Sequence, residues 1–305
     1  MKFDFSAADM NAMTVEQRIA LSTGEFGRWK MVQAAKHVAP FWWVEPRQSP
    51  LLITPAGPRV RNGTAFFVRI GERLLCITAA HVYRGLLEAR QHYPGLWCRL
   101  GEGDFVFDTE ANLCSIGGQT RGVDNVDIAT FHITEDILHT IHKEPVSVTS
   151  EAWPPPHPFS GQESSLIGYP GSSKLWTSAQ EISFGIYCAG PRIGSAGDRQ
   201  ITLPFEREYW VDTLGRGLPP EGMNLGGISG GPLLILTEKD RDWSFNIGGV
   251  ISEMSSSAHF EMVTAEPVHF IAADGTVLDE RSGPIRHYIN AKPATEDAGA
   301  DRSTK

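Results

Sequence analysis

One serine lies among three glycines in Gly227-Ile228-Ser229-Gly230-Gly231-Pro232, and chemistry is most readable there. Glycine permits positive φ and close backbone approach, so such a run can turn sharply and leave its amide N–H groups converging on one point. A serine held there presents an uncrowded hydroxyl beside ready donors, which is what a nucleophile with an oxyanion hole needs. The same glycines could equally mark a turn between strands, with Ser229 as filler. A hydroxyl attacks only when a base takes its proton. The chain offers a histidine at the close of an apolar strand, Leu75-Cys76-Ile77-Thr78-Ala79-Ala80-His81, and an aspartate opening another, Val126-Asp127-Ile128-Ala129. Asp124 is a rival acid; it reads as part of a turn with Asn125, whereas Asp127 directly precedes the apolar strand.

Three segments, T-A-A-H at 78–81, D-I-A at 127–129 and G-I-S-G-G-P at 227–232, stand in the order His, Asp, Ser. In this they resemble the chymotrypsin-like (trypsin-like) serine proteases. Gly168-Tyr169-Pro170-Gly171 is similar to a turn of bacterial members of the glutamyl-endopeptidase and HtrA kind, and Gly249-Val250-Ile251-Ser252 to the strand after the nucleophile. The resemblance spans roughly residues 50 to 285.

It implies Ser229 as nucleophile, His81 as the base that takes its proton, and Asp127 as the acid that orients the imidazole. It implies an oxyanion hole from the amides of Gly227 and Ser229, and support of Asp127 by the Ser252 hydroxyl. The primary substrate pocket would lie near Met223, Asn224 and Ser252-Glu253-Met254. Met223 stands where trypsin-type enzymes carry an acid, so an apolar or small side chain is expected there; Glu253 could instead favour basic groups at a neighbouring subsite. Ile228 replaces the aspartate that, in the zymogen branch, pairs with a newly made α-ammonium. An aliphatic side chain cannot do so, and activation of that type is not expected.

The elements that must carry these residues read as all-β. Short runs rich in Val, Ile, Phe and Thr alternate with Gly, Pro and Asp clusters from about residue 50. Strands are expected at Leu51–Thr54, Thr64–Ile70, Leu74–Thr78, Leu96–Leu100, Asp104–Phe107 and Asp127–Ile133, with a short helix over 82–91. A second set is expected at Ser165–Gly168, Glu181–Ala189, Gln200–Pro204, Pro232–Thr237, Phe245–Ser252, His259–Val263 and Val268–Ala272. The resemblance implies two antiparallel six-stranded β-barrels, residues 46–150 with His81 and Asp127 and residues 151–290 with Ser229. Residues 1–45 read as a helical N-terminal extension. Thr14-Val15-Glu16-Gln17 fits a capping box, and a second helix is expected over 27–39. Trp42 and Trp43 would anchor this extension on the barrel, or, if exposed, serve a regulatory partner. Residues 291–305 are polar and expected to be disordered.

Composition narrows the partners. The 305 residues carry a net charge of −9, which argues against nucleic acid and against an anionic membrane surface. No stretch approaches the ~18 apolar residues of a membrane span, and the N-terminus lacks an apolar run of signal-peptide length, so a cytoplasmic location is expected. Cys76, Cys98, Cys114 and Cys188 have no C-x-x-C spacing and read as free, mostly buried thiols. His139 and His142 share a helix-face spacing without a convincing further ligand, so no metal is expected, and no organic cofactor. The expected activity is that of a serine endopeptidase acting on a protein or peptide through an acyl-enzyme. A latent effector switched on by a partner, and a catalytically silent scaffold, are the alternatives.

Overall fold

The computed structural model describes residues 1–46, 59–118, 126–178, 181–205, 211–213, 218, 223–257 and 260–278. Three helices open the chain: α1 (Ala7–Ala12), α2 (Val15–Thr23) and α3 (Glu25–Lys36). The expected capping box forms: the Thr14 hydroxyl accepts from Gln17 N while the Gln17 side chain accepts from Thr14 N. The second helix ends sooner than expected, because Val38 begins a strand.

The first half runs β1 (Val38–Glu45), β2 (Arg59–Ile70), β3 (Arg73–Thr78), α4 (Ala80–His92), β4 (Cys98–Leu100), β5 (Val106–Phe107), α5 (Thr109–Asn112), β6 (Leu113–Ile116), β7 (Ala129–His132), α6 (Glu135–Thr140) and β8 (Val146–Val148). These strands make one eight-stranded sheet in the order β5-β4-β1-β2-β3-β7-β6, with β8 parallel to β2. The second half runs β9 (Ser164–Gly168), β10 (Lys174–Trp176), β11 (Ile182–Phe184), β12 (Tyr187–Ala189), β13 (Ser195–Ala196), β14 (Ile201–Pro204), β15 (Pro232–Lys239), β16 (Asp242–Ser257) and β17 (Phe260–Pro267). Seven of these form a sheet in the order β12-β9-β15-β16-β17-β14-β13, while β10 and β11 pair separately.

The molecule is thus mostly β, and among the described residues its strands fall into sheets of eight and seven with one separate pair. Trp42 and Trp43 are not the anchor of a helical extension. They lie in β1, which pairs antiparallel with β2 and β4 inside the first sheet. The physical reason is two-sided burial. Val38 and Trp42 join the core shared by the two sheets, and Ala39, Phe41 and Trp43 the core of the first half. A strand buried on both faces reads as a continuous apolar run. The true anchor of the helices is aromatic. Phe26 meets Trp243 edge-on at 5.2 Å between ring centroids, and Trp29 stacks on Phe245 at 5.8 Å.

Val268–Phe270 is a 3-10 turn where a strand was expected. The expected strand at 51–54, the rival Asp124 and the tail at 291–305 lie outside the described residues. The four cysteines are free thiols, Cys76 and Cys98 buried, Cys114 and Cys188 half-buried. No helix among the described residues is long and apolar enough to cross a membrane.

Candidate active site

β3 ends at Thr78 and α4 begins at Ala80, so His81 falls in the first turn of a helix. Asp127 lies just before β7, the neighbour of β3 in the sheet, and Ala80 N donates to Asp127 O at 3.2 Å. That adjacency fixes the pair. His81 Nδ1 lies 2.6 Å from Asp127 Oδ2, and His81 N donates to Asp127 Oδ1 at 2.8 Å. One carboxylate thus holds both the backbone and the ring of His81. The acid is the more shielded partner: its side chain is 19% exposed against 48% for His81. With Nδ1 bound to the carboxylate, the ring's other nitrogen is the one left to exchange a proton. Val82, the next residue, sits so close to Gly63 that a Cβ added there would lie 2.4 Å from a Val82 methyl. Gly63 lets α4 pack onto β2.

Ser229 occupies a loop leading into β15. Gly227 has φ +106° and Gly230 φ +87°, a left-handed region that favours glycine. Space excludes a side chain as well. A Cβ at Gly230 would lie 2.2 Å from both Thr64 O and Thr78 Oγ1, and one at Gly227 would lie 2.7 Å from Tyr169 O. Thr64 of β2 fixes this loop from the other sheet. Its N–H donates to Ser229 O at 2.9 Å and its hydroxyl donates to Gly227 O at 2.8 Å. The same hydroxyl accepts from Tyr169 N at 2.9 Å, and Thr64 O accepts from the Thr78 hydroxyl at 2.6 Å. Asn62 Nδ2 adds a bond to Tyr169 O at 2.7 Å. Ile228 is buried in the core of the second half, which seats the loop by packing. Among the described residues, nothing accepts from the amides of Gly227 or Ser229.

His81, Gly227 and Ser229 line one cleft of about 490 Å³. Among the described residues no direct hydrogen bond joins Ser229 to His81. Catalytic hydrogen bonds often tighten only once substrate is bound.

The remaining expected residues lie elsewhere. Ser252 does not support Asp127. It sits at a β-bulge between Ile251 and Glu253, and its hydroxyl is 3.3 Å from Thr264 O and 3.2 Å from Thr264 Oγ1. The extra residue of a bulge re-aims the strand, which continuous pairing would not have done. Met223 and Met254 pack partly buried against the core of the second half. Asn224 turns its Oδ1 back to Gly226 N at 2.7 Å, and Glu253 is exposed. None of these four lines the cleft. Its walls include Trp43, Arg61, Asn62 and Gly85, which the sequence did not single out as site residues. The only signal for Thr64 was a polar residue starting an apolar strand, and nothing in that pattern shows that its hydroxyl turns inward.

Neither a protein-family model nor a curated protein matches the chain. Among solved structures, the chain is similar to a thermostable serine protease, AL20, from an extremophilic microorganism. The identity is 12%, with a TM-score of 0.40, over 77% of this chain and 93% of that one. A structure from work on aromatic interactions driving the coupled folding and binding of the intrinsically disordered Sesbania mosaic virus VPg protein is similar at 11% identity. Its TM-score is 0.40, over 78% of this chain and 88% of that one.

Proposed function

We propose that the protein is a serine endopeptidase that cleaves peptide bonds through an acyl-enzyme on Ser229. The observation that carries the reading is the doubly bonded His81–Asp127 pair opening onto the cleft that also holds Ser229. In this reading Ser229 Oγ attacks the scissile carbonyl carbon while His81 takes its proton. Asp127 keeps the ring in the required tautomer and stabilises the imidazolium. The carbonyl oxygen, gaining negative charge, is received by the amides of Gly227 and Ser229. Fixed donors of this kind typically contribute ~10²–10³ each in rate. His81 returns the proton to the departing amine, and water then releases the acyl group by the same steps.

A partner-activated form of this enzyme is the second reading. What favours it is that Ser229 and His81 share no hydrogen bond here. A fluorophosphonate probe, which needs an activated serine, tests both. Labelling of wild type, lost in Ser229→Ala and His81→Ala, is expected. Absence of labelling in folded wild type would overturn an enzyme that is active alone.

A further inference from the structure

Gly85 lies in the interior of α4, where glycine costs ~1 kcal/mol relative to alanine. Packing does not demand it. A Cβ built there would meet only the Trp43 ring, at 3.5 and 3.6 Å, which is ordinary van der Waals contact. Nor is a positive φ involved, since Gly85 is helical and absent from the left-handed residues. The helix thus carries a destabilising residue whose one evident effect is to leave a notch over an indole. That notch opens into the cleft holding His81 and Ser229. Trp43 at 5% and Val82 at 7% exposure give it an apolar floor, and Ala89 and Tyr93 continue its wall.

The chemistry decides which side of the reacting atoms it serves. His81 must hand its proton to the amine that leaves, so the leaving segment lies against the element bearing His81. That element is α4, whose Val82, Gly85 and Ala89 form this wall. None of Met223, Asn224, Glu253 or Met254, expected around the acyl portion, lines it.

We propose that the Gly85–Trp43 notch seats an apolar side chain, aromatic or long aliphatic, of the segment that departs with the amine. The enzyme then selects its cleavage sites by the side chains on the amine side of the scissile bond. The inference rests on reading Ser229 as the nucleophile. A pocket of this kind discriminates by roughly 10–200-fold per apolar group gained or lost.

The reverse of amine departure tests it. An acyl-enzyme made from an activated ester is offered amino-acid amides in place of water. The amine nitrogen bonds to the acyl carbon, the Ser229 ester C–O bond breaks, and the amine proton passes through His81 to Ser229 Oγ. Phenylalanine amide should capture the acyl group at least about tenfold better than glycine amide. Gly85→Leu, which fills the notch, should abolish that preference, read as the ratio of the two amides captured by the same acyl-enzyme. Gly85→Ala should raise the Tm and cut the preference by a few-fold, which covers the case that the larger variant does not fold. Equal capture of the two amides, or a preference unchanged in Gly85→Leu and Gly85→Ala, would overturn the proposal. Ser229→Ala separates the two readings, because binding needs no chemistry. Calorimetric titration of that variant should show phenylalanine amide binding at least about tenfold tighter than glycine amide. Equal affinities would sink the notch whether or not an acyl-enzyme forms, and failure of fluorophosphonate labelling alone would count only against the reading beneath it.

Discussion

His81 and Asp127 stand beside neighbouring strands of one sheet and bond directly to each other, whereas Ser229 sits on a loop of the second half that is held from both sides, by Thr64 of the first sheet and by Ile251 of its own, whose carbonyl accepts from Gly230 N at 2.7 Å. Thr64 reaches across with its N–H and hydroxyl, and Asn62 braces the Tyr169 turn that packs on the loop. The base and acid are therefore local to one half, while the position of the nucleophile depends on how the two halves meet. Damage to the first should change chemistry without changing the fold. Damage to the second should move the serine and leave the His81–Asp127 pair intact.

The largest effect tests the local pair. Asp127→Asn keeps the shape but presents an amide that favours the wrong tautomer of His81. Acylation should fall about 10⁴-fold with an unchanged melting temperature. Rates from stopped-flow acylation, set beside thermal unfolding, would check it, and a loss below tenfold would show that Asp127 is not the orienting acid.

Gly230→Ala strikes the other region. The new Cβ meets Thr64 O and Thr78 Oγ1, and the backbone is held at positive φ. A cost of about 3 kcal/mol is expected from the two effects together. Denaturant unfolding gives the number, and fluorophosphonate labelling should be lost with it. A gentler probe separates bonding from packing. Thr64→Val keeps the volume but strips Gly227 O and Tyr169 N of their partner, at about 1–3 kcal/mol for each polar group left buried and unsatisfied. Labelling of Ser229 should slow by at least about tenfold. Thr64→Ser should restore it. Equal labelling in the valine and serine variants would mean that the loop is set by Ile228 packing alone.

The two regions also differ in how far the sequence disclosed them. In the sequence His81 closes one apolar run and Asp127 opens another, where a titratable side chain is conspicuous. Their contact needs only that β3 and β7 be neighbours. The capping box at Thr14 and the strands at Thr64–Ile70 and Leu74–Thr78 were legible for the same local reason. Thr64 was not, because its role depends on the second sheet meeting the first across more than a hundred residues of chain. Nor was β1: burial on both faces erased the alternation that identifies a strand. Ser252 misled because a bulge shifts the side chain that an unbroken ladder would have aimed elsewhere. The notch at Gly85 is invisible in sequence, since only the position of Trp43 shows that the glycine leaves room.

The smallest expected effect extends the comparison to acid. His269 lies just past β17 in the second half. Its ring lies 5.2 Å from that of His157 and 4.6 Å from Phe270, and its Nε2 is buried without a partner among the described residues. Burial, with the neighbouring His157 second, pushes its pKa down from 6.5 to about 4, although hydrogen bonding and charge at Asp198 oppose the shift. A depressed histidine is stabilising in its neutral form. Its contribution is fully present above pH 6.5. As the pH falls from there towards about 4, the unfolded chain binds a proton that the folded chain refuses, so stability declines. Below that value this residue adds no further loss. Tm measured from pH 7.5 to 4 should fall more steeply in wild type than in His269→Gln, which cannot titrate. Parallel slopes in the two proteins would show that His269 does not contribute to the acid sensitivity.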